Sequence, residues 1–282
     1  MIGQLRSAPA VTPFFLPSGK GNLFCNLYDG GSSTRAGQGI LFFPPFAEEM
    51  NKSRWIVAEQ ARRFSAMGYV VVVPDLYGTG DSEGDFGEAS WEDWHDDINH
   101  VVAWFGDRGI NDLCFWGLRL GALLALDCSA RYPDALTRLL FWQPVLNGRN
   151  YLTQFLRLKV AADMFESSRK TTTGELRDQL ESGGCVEVAG YQIAPELALS
   201  IDELDMSQML LHQYRRITWL ELLPGNDRPV PVMTRNLVNK IHESGLEPEF
   251  CTVVGEPFWS LQELVEVPGL LENTCRYFPA LI

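Results

Sequence analysis

Basic side chains are scarce in this sequence. Its 23 Lys and Arg face 36 Asp and Glu, which gives a net charge of −13 with histidine neutral. A phosphate backbone is gripped by clustered Lys and Arg, so the deficit argues against nucleic acid as a partner. An acidic lipid surface is disfavoured for the same reason. Long apolar runs are also missing. The longest, Leu113 to Leu126, carries Arg119 in its middle and is shorter than the roughly 20 residues a membrane span needs. The N-terminal stretch lacks the uninterrupted apolar core of a signal peptide. Cysteine is sparse. Cys25, Cys114, Cys128, Cys185, Cys251 and Cys275 are scattered without a CxxC pair, so they read as reduced thiols in a cytoplasmic protein. No G-x-G-x-x-G or P-loop follows a strand, so no cofactor is expected. No metal is expected either. Of the four histidines, His95 and His100 lie about 140° apart around one helix and cannot form an i, i+4 metal pair. His212 and His242 fall in polar stretches and read as surface or structural groups.

What is present is a globular composition, 46% hydrophobic and 11% aromatic, over 282 residues. Short Val-, Ile-, Leu- and Phe-rich runs alternate with helix-like stretches. Gly21–Tyr28, Gly39–Phe43, Tyr69–Val73, Leu113–Trp116, Leu139–Trp142, Ile217–Leu223 and Phe250–Val254 read as strands. Lys52–Met67, Ser90–Phe105, Leu120–Tyr132 and Ser260–Tyr277 read as helices, the first stopped by Gly68. Strand and helix in alternation predict an α/β fold, a mostly parallel sheet with helices on both faces. Residues 147–212 break the rhythm. They read as helices and loops without a buried strand, a cap inserted into a single domain that spans 1–282.

The chemistry concentrates at Gly117-Leu118-Arg119-Leu120-Gly121, between a strand and a helix. This resembles the small-x-nucleophile-x-small elbow of α/β-hydrolases, whose central residue is strained at the top of the sheet. The central residue here is Arg119, whose guanidinium stays protonated and has no nucleophilic form. Phe43-Pro44-Pro45-Phe46-Ala47-Glu48-Glu49 stands where a second oxyanion-hole amide would arise. Asp75-Leu-Tyr-Gly78-Thr-Gly80-Asp81-Ser82 resembles the superfamily's D-x-x-G-x-G-x-S turn, in which Ser82 is structural. Asp227 follows the strand that usually supplies the triad acid. Gly255-Glu256-Pro257-Phe258-Trp259 follows the last strand, where the general-base His belongs, and contains no His; Pro257 or Glu256 takes that place.

Longer blocks narrow the resemblance. PPFAEEMNKSR (44–54), GLRLGALLALD (117–127), WQPVLNGRNYLTQFLRLKVAADM (142–164), VEVAGYQI (186–193) and GEPFW (255–259) resemble the exosortase A system-associated hydrolase family, type 2. The likeness runs from about residue 13 to residue 276. It implies the α/β-hydrolase fold, a bacterial cytoplasmic protein encoded near exopolysaccharide and protein-sorting functions, a hydrolase label, and an Arg at the elbow as a family trait.

Two functions fit. One is hydrolysis of an ester, thioester or acylated saccharide. Water would be activated by Glu48, Asp227 or Glu256, and an oxyanion would be held by Arg119 and the amides of Phe46, Ala47 and Leu120. The other is a non-catalytic pseudo-hydrolase that binds an anionic small molecule or a partner protein. Arg119 at a helix N-terminus suits an anion. The plainer reading is an internal ion pair with Glu48, Glu256 or Asp227. Of Glu48 and Glu49, one can cap the helix expected near Lys52 while the other is solvated or paired with Arg54. Ser260 is the nearest displaced hydroxyl. Tyr151, Phe155, Arg157 and Met164 could line a pocket over Arg119, although Leu152, Phe155, Leu156 and Val160 at helical spacing also read as a core face. Oligomeric state is not encoded in any motif found.

Overall fold

The computed structural model describes residues 11–30, 37–132, 134–166, 171–209 and 216–280. Among these, eight strands form one sheet: β1 (Val11–Pro17), β2 (Asn22–Tyr28), β3 (Gln38–Phe43), β4 (Val70–Pro74), β5 (Asp112–Leu118), β6 (Leu136–Trp142), β9 (Arg216–Leu223) and β10 (Glu249–Val254). Their spatial order is β1-β2-β4-β3-β5-β6-β9-β10. β2 runs antiparallel to β1 and β4, and the remaining neighbours are parallel.

Alternation along the strands builds two cores. On β3, Ile40 and Phe42 face one side while Leu41 and Phe43 face the other; on β5, Cys114, Trp116 and Leu118 oppose Leu113 and Phe115. The first side is covered by α1 (Glu48–Ala66) and α9 (Pro268–Arg276), and the second by α2 (Trp91–Gly106), α3 (Leu120–Ser129) and α8 (Val232–Glu243). The central strands are buried on both faces, which is why they read as continuous apolar runs. No helix of the described residues is long and apolar enough to cross a membrane. All six cysteines are free.

Three elements depart from the sequence reading. β1 has no counterpart among the strands read from the sequence; it is an edge strand paired only with β2, where the missing N–H groups of Pro13 and Pro17 are tolerated. The helix expected over 260–277 begins only at Pro268, whose ring admits a first helical turn but not a preceding one. Between β6 and β9 the described chain forms α4 (Gly148–Glu166), α5 (Thr173–Glu181), α6 (Pro195–Glu203) and α7 (Met206–Met209), but also a hairpin, β7 (Val186–Val188) with β8 (Tyr191–Ile193). Its turn residues, Ala189 at φ 51° and Gly190 at φ 84°, suit a tight hairpin, and strands of three residues are too short to show a burial period. His212 lies outside the described residues.

Candidate active site

The elbow is formed where β5 ends and α3 begins. Arg119 is the N-cap of α3 at φ 56°, ψ −120°, a conformation costly for a residue with a Cβ. Its flanking glycines are obligatory. A Cβ on Gly121 would strike the carbonyl oxygens of Phe43 and Pro44, and one on Gly117 would strike the Ala122 backbone. Backbone bonds fix the turn: Arg119 N–H donates to the Trp142 carbonyl, and the Arg119 carbonyl accepts from Ala122 and Val145, all at 3.1 Å. Ala47, the N-cap of α1, has nearly the same geometry at φ 51°, ψ −127°.

The Arg119 side chain is held by three elements. Its Nε and Nη2 both donate to Glu49 Oε1 at 3.3 Å. Tyr151 on α4 donates its hydroxyl to Glu49 Oε2 at 3.1 Å. The guanidinium lies 5.7 Å from the centre of the Tyr151 ring and 5.1 Å from that of Trp259, within cation–π range. Burial pushes the Glu49 carboxyl up, with Arg119 and Tyr151 opposing it. Burial and the neighbouring Glu49 push the Tyr151 phenol well above its usual range. Glu221, near the end of β9, is a second buried carboxylate within the field of Arg119. It accepts from Trp219 Nε1 (2.9 Å), Thr234 Oγ1 (3.1 Å) and Gln143 Nε2 (3.3 Å), and burial raises it against these bonds and the Arg119 charge.

The internal ion pair is therefore made to Glu49, and not to Glu48, Glu256 or Asp227. The reason is helix phase. α1 begins at Glu48 rather than near Lys52, and neither glutamate caps it through its side chain, since Ala47 is the N-cap. Consecutive helical residues point about 100° apart, so Glu49 faces the elbow while Glu48 faces the hairpin. There Glu48 Oε2 accepts from the Tyr191 hydroxyl at 3.0 Å and from Asn51 Nδ2 at 3.3 Å. Arg54 pairs with Asp75 instead of either glutamate. Asp227 and Glu256 are exposed, and neither is bonded to Arg119. From the loop after β10 the side chain that reaches Arg119 is Trp259, 8% exposed; Ser260 turns away and donates to the Pro257 carbonyl. On α4, Tyr151 and Phe155 face the site, whereas Arg157 and Met164 are exposed.

Phe46, Ala47 and Leu120 do converge. They line one small space of about 10 Å³, at the lower limit for a single water. Phe46 fills the region, packing edge-on against Phe86, Trp94, Tyr151 and Phe155 with ring centres 5.0 to 6.2 Å apart. Among the described residues no group of three or more His, Cys, Asp or Glu is placed to hold a metal ion. Glu49, Glu221 and Trp259 were not singled out as partners of Arg119 from the sequence; the position of Trp259 after the last strand was the available signal.

Comparison with known proteins agrees with this architecture. A family model described as serine aminopeptidase, S33, matches residues 46–182. No curated protein sequence matches the chain. Among solved structures, Est1E from Butyrivibrio proteoclasticus, with ferulic acid bound, superposes with a TM-score of 0.65 at 13% identity, covering 94% of this chain and 97% of that one. The thioesterase domain from the curacin biosynthetic pathway gives 0.57 at 15% identity, covering 94% and 99%. An alpha-beta serine hydrolase homologue from Coxiella burnetii gives 0.57 at 14%, covering 95% and 97%. At such identities the likeness speaks for the fold alone. The strand order, the strained turn between β5 and α3 and these superpositions together give this chain the α/β-hydrolase fold.

Proposed function

We propose that this protein is a non-catalytic member of the α/β-hydrolase superfamily that binds a small molecule and does not hydrolyse esters, thioesters or acylated saccharides at its elbow. One observation carries the reading: the side chain at the nucleophile position is a guanidinium already bonded to Glu49 and covered by Tyr151 and Trp259. An arginine offers no nucleophile, and a 10 Å³ space beside Phe46 and Leu120 does not admit an acyl group. Glu49 also neutralises Arg119, so an anionic ligand would have to displace a carboxylate in place. The resemblance to exosortase-associated hydrolases suits a bacterial cytoplasmic setting for this role.

A second reading rests on Glu49. Burial raises its carboxyl, as in general acids and bases of other enzymes. Hydrolysis would then run through a water activated by Glu49, with Arg119 and the Leu120 amide facing the oxyanion. The test treats the pure protein with a fluorophosphonate probe and with short-chain aryl esters and thioesters, beside Arg119→Ala and Glu49→Gln. The expected result is no labelling and no turnover above the variants. A labelled serine overturns the proposal. Turnover that disappears in Glu49→Gln establishes the second reading in its place.

A further inference from the structure

A cavity much larger than the space beside Phe46 lies outside the elbow. It measures about 460 Å³, within the range of small-molecule sites, and Arg119 does not line it. α1 supplies Met50, Asn51 and Arg54, the segment after β4 supplies Asp81 and Phe86, and β8 supplies Tyr191. The floor is tightly built. Gly80 has φ +56°, and a Cβ there would overlap the Asp75 carboxylate and the Arg54 guanidinium. The wall is braced: the Tyr191 hydroxyl donates to Glu48 and accepts from Asn51 Nδ2 at 2.9 Å, and its ring meets Phe86 edge-on at 5.3 Å.

We propose that this cavity binds an uncharged ring compound carrying vicinal hydroxyl groups, the chemistry shared by a free sugar and the ribose of a nucleoside. Charge decides the first part. The lining holds one guanidinium, Arg54, and one carboxylate, Asp81; two more carboxylates are bonded to lining residues, Asp75 to Arg54 Nη2 at 3.0 Å and Glu48 to the Tyr191 hydroxyl. An anion meets excess negative charge, and an ammonium group meets Arg54 in the wall; a neutral ligand meets neither penalty. Hydrogen bonding decides the second part. Arg54 spends Nη2 on Asp75 and keeps further N–H donors, Asn51 keeps its amide oxygen, and Asp81 offers two acceptors. These flat, forked groups can each engage adjacent hydroxyls, while Phe86 and Tyr191 offer aromatic faces to the less polar side of a ring. The inference does not depend on whether the elbow is catalytic.

Calorimetric titration of the full chain with methyl α-glucoside, adenosine, glucuronate and glucosamine tests it. At least one neutral compound is expected to bind saturably and more tightly than both charged sugars. Binding by the glucoside or by adenosine identifies the source of the ring. Phe86→Ala and Asn51→Ala should each weaken that binding by roughly tenfold, with Lys240→Ala, far from the cavity, as the unaffected control. Asn51 is exposed at the rim, so its variant reports even if Phe86→Ala fails to fold. No saturable neutral ligand, tighter binding of glucuronate or glucosamine, or full affinity in Asn51→Ala would overturn the proposal.

Discussion

Two places in this protein carry the makings of a hydrolytic triad, and they divide them. At the elbow the backbone is right, and an arginine stands at its centre. Arg119 holds the strained turn, but it is bonded to Glu49 and lies within cation–π range of Trp259. Between α2 and α3 the chemistry is right and the setting is wrong. Cys128 Sγ lies 3.2 Å from His95 Nδ1, and His95 Nε2 lies 2.8 Å from Asp127 Oδ2, which also accepts from Trp91 Nε1 at 2.8 Å. Nucleophile, imidazole and acid stand in line there. Yet Cys128 is fully buried on an ordinary helix, and burial pushes its thiol well above the usual range. Burial also works to raise Asp127, but the bonds from His95 and Trp91 outweigh it and hold the carboxyl low. Residue types in order make a site only where a substrate can reach the nucleophile.

The largest effect should therefore be structural and should come from the buried network. His95→Ala removes a core ring and leaves Cys128 and Asp127 without their shared partner. It should cost about 3 kcal/mol in urea unfolding. A loss below about 1 kcal/mol, the scale of one ordinary hydrogen bond, would mean that the network contributes little and would reopen a functional role for it.

The elbow should show a smaller loss. Glu49→Ala leaves Arg119 unpaired, but the two side chains keep 20% and 17% exposure. The cost should fall to about 2 kcal/mol, below the ~3–5 kcal/mol of a fully buried pair. Adding Arg119→Met should restore at least half of it, because the uncompensated charge leaves with the guanidinium. If the double variant is no more stable than Glu49→Ala, Arg119 is not the group that Glu49 neutralises.

The difference between the two regions also explains what could be read in advance. The elbow was legible because two glycines flanking one residue between a strand and a helix have a steric cause, seen at Gly117 and Gly121. The central strands were legible because burial on both faces leaves apolar runs. The partners of Arg119 were not. Choosing Glu49 over Glu48 requires knowing that both already lie inside α1, and a helix expected to start near Lys52 leaves their directions open. Trp259 reaches the guanidinium because of two tight turns, Phe258 N–H to the Glu256 carbonyl and Ser260 N–H to the Pro257 carbonyl, and no pattern of residue types announces those bonds. The His95 network pairs residues 32 and 33 positions apart, a separation set by how α2 packs on α3.

The smallest expected effect is the sharpest comparison, because it asks whether the right residues at the right backbone suffice. Arg119→Ser combined with Trp259→His places a hydroxyl on the strained turn and an imidazole on the loop after β10. Neither change supplies an orienting acid, since Asp227 is exposed and Glu221 is already bonded by Trp219, Thr234 and Gln143. An imidazole must lie within about 2.6–3.2 Å of the hydroxyl to act as its base, and a third group must fix its tautomer. The space beside Phe46 and Leu120 stays at one water's volume while Phe46 is packed against four aromatic rings. The double variant should therefore show no fluorophosphonate labelling at position 119 and no ester turnover. Labelling there would mean that the elbow retains a working oxyanion site behind Phe46, and that the arginine alone separates this protein from an active hydrolase.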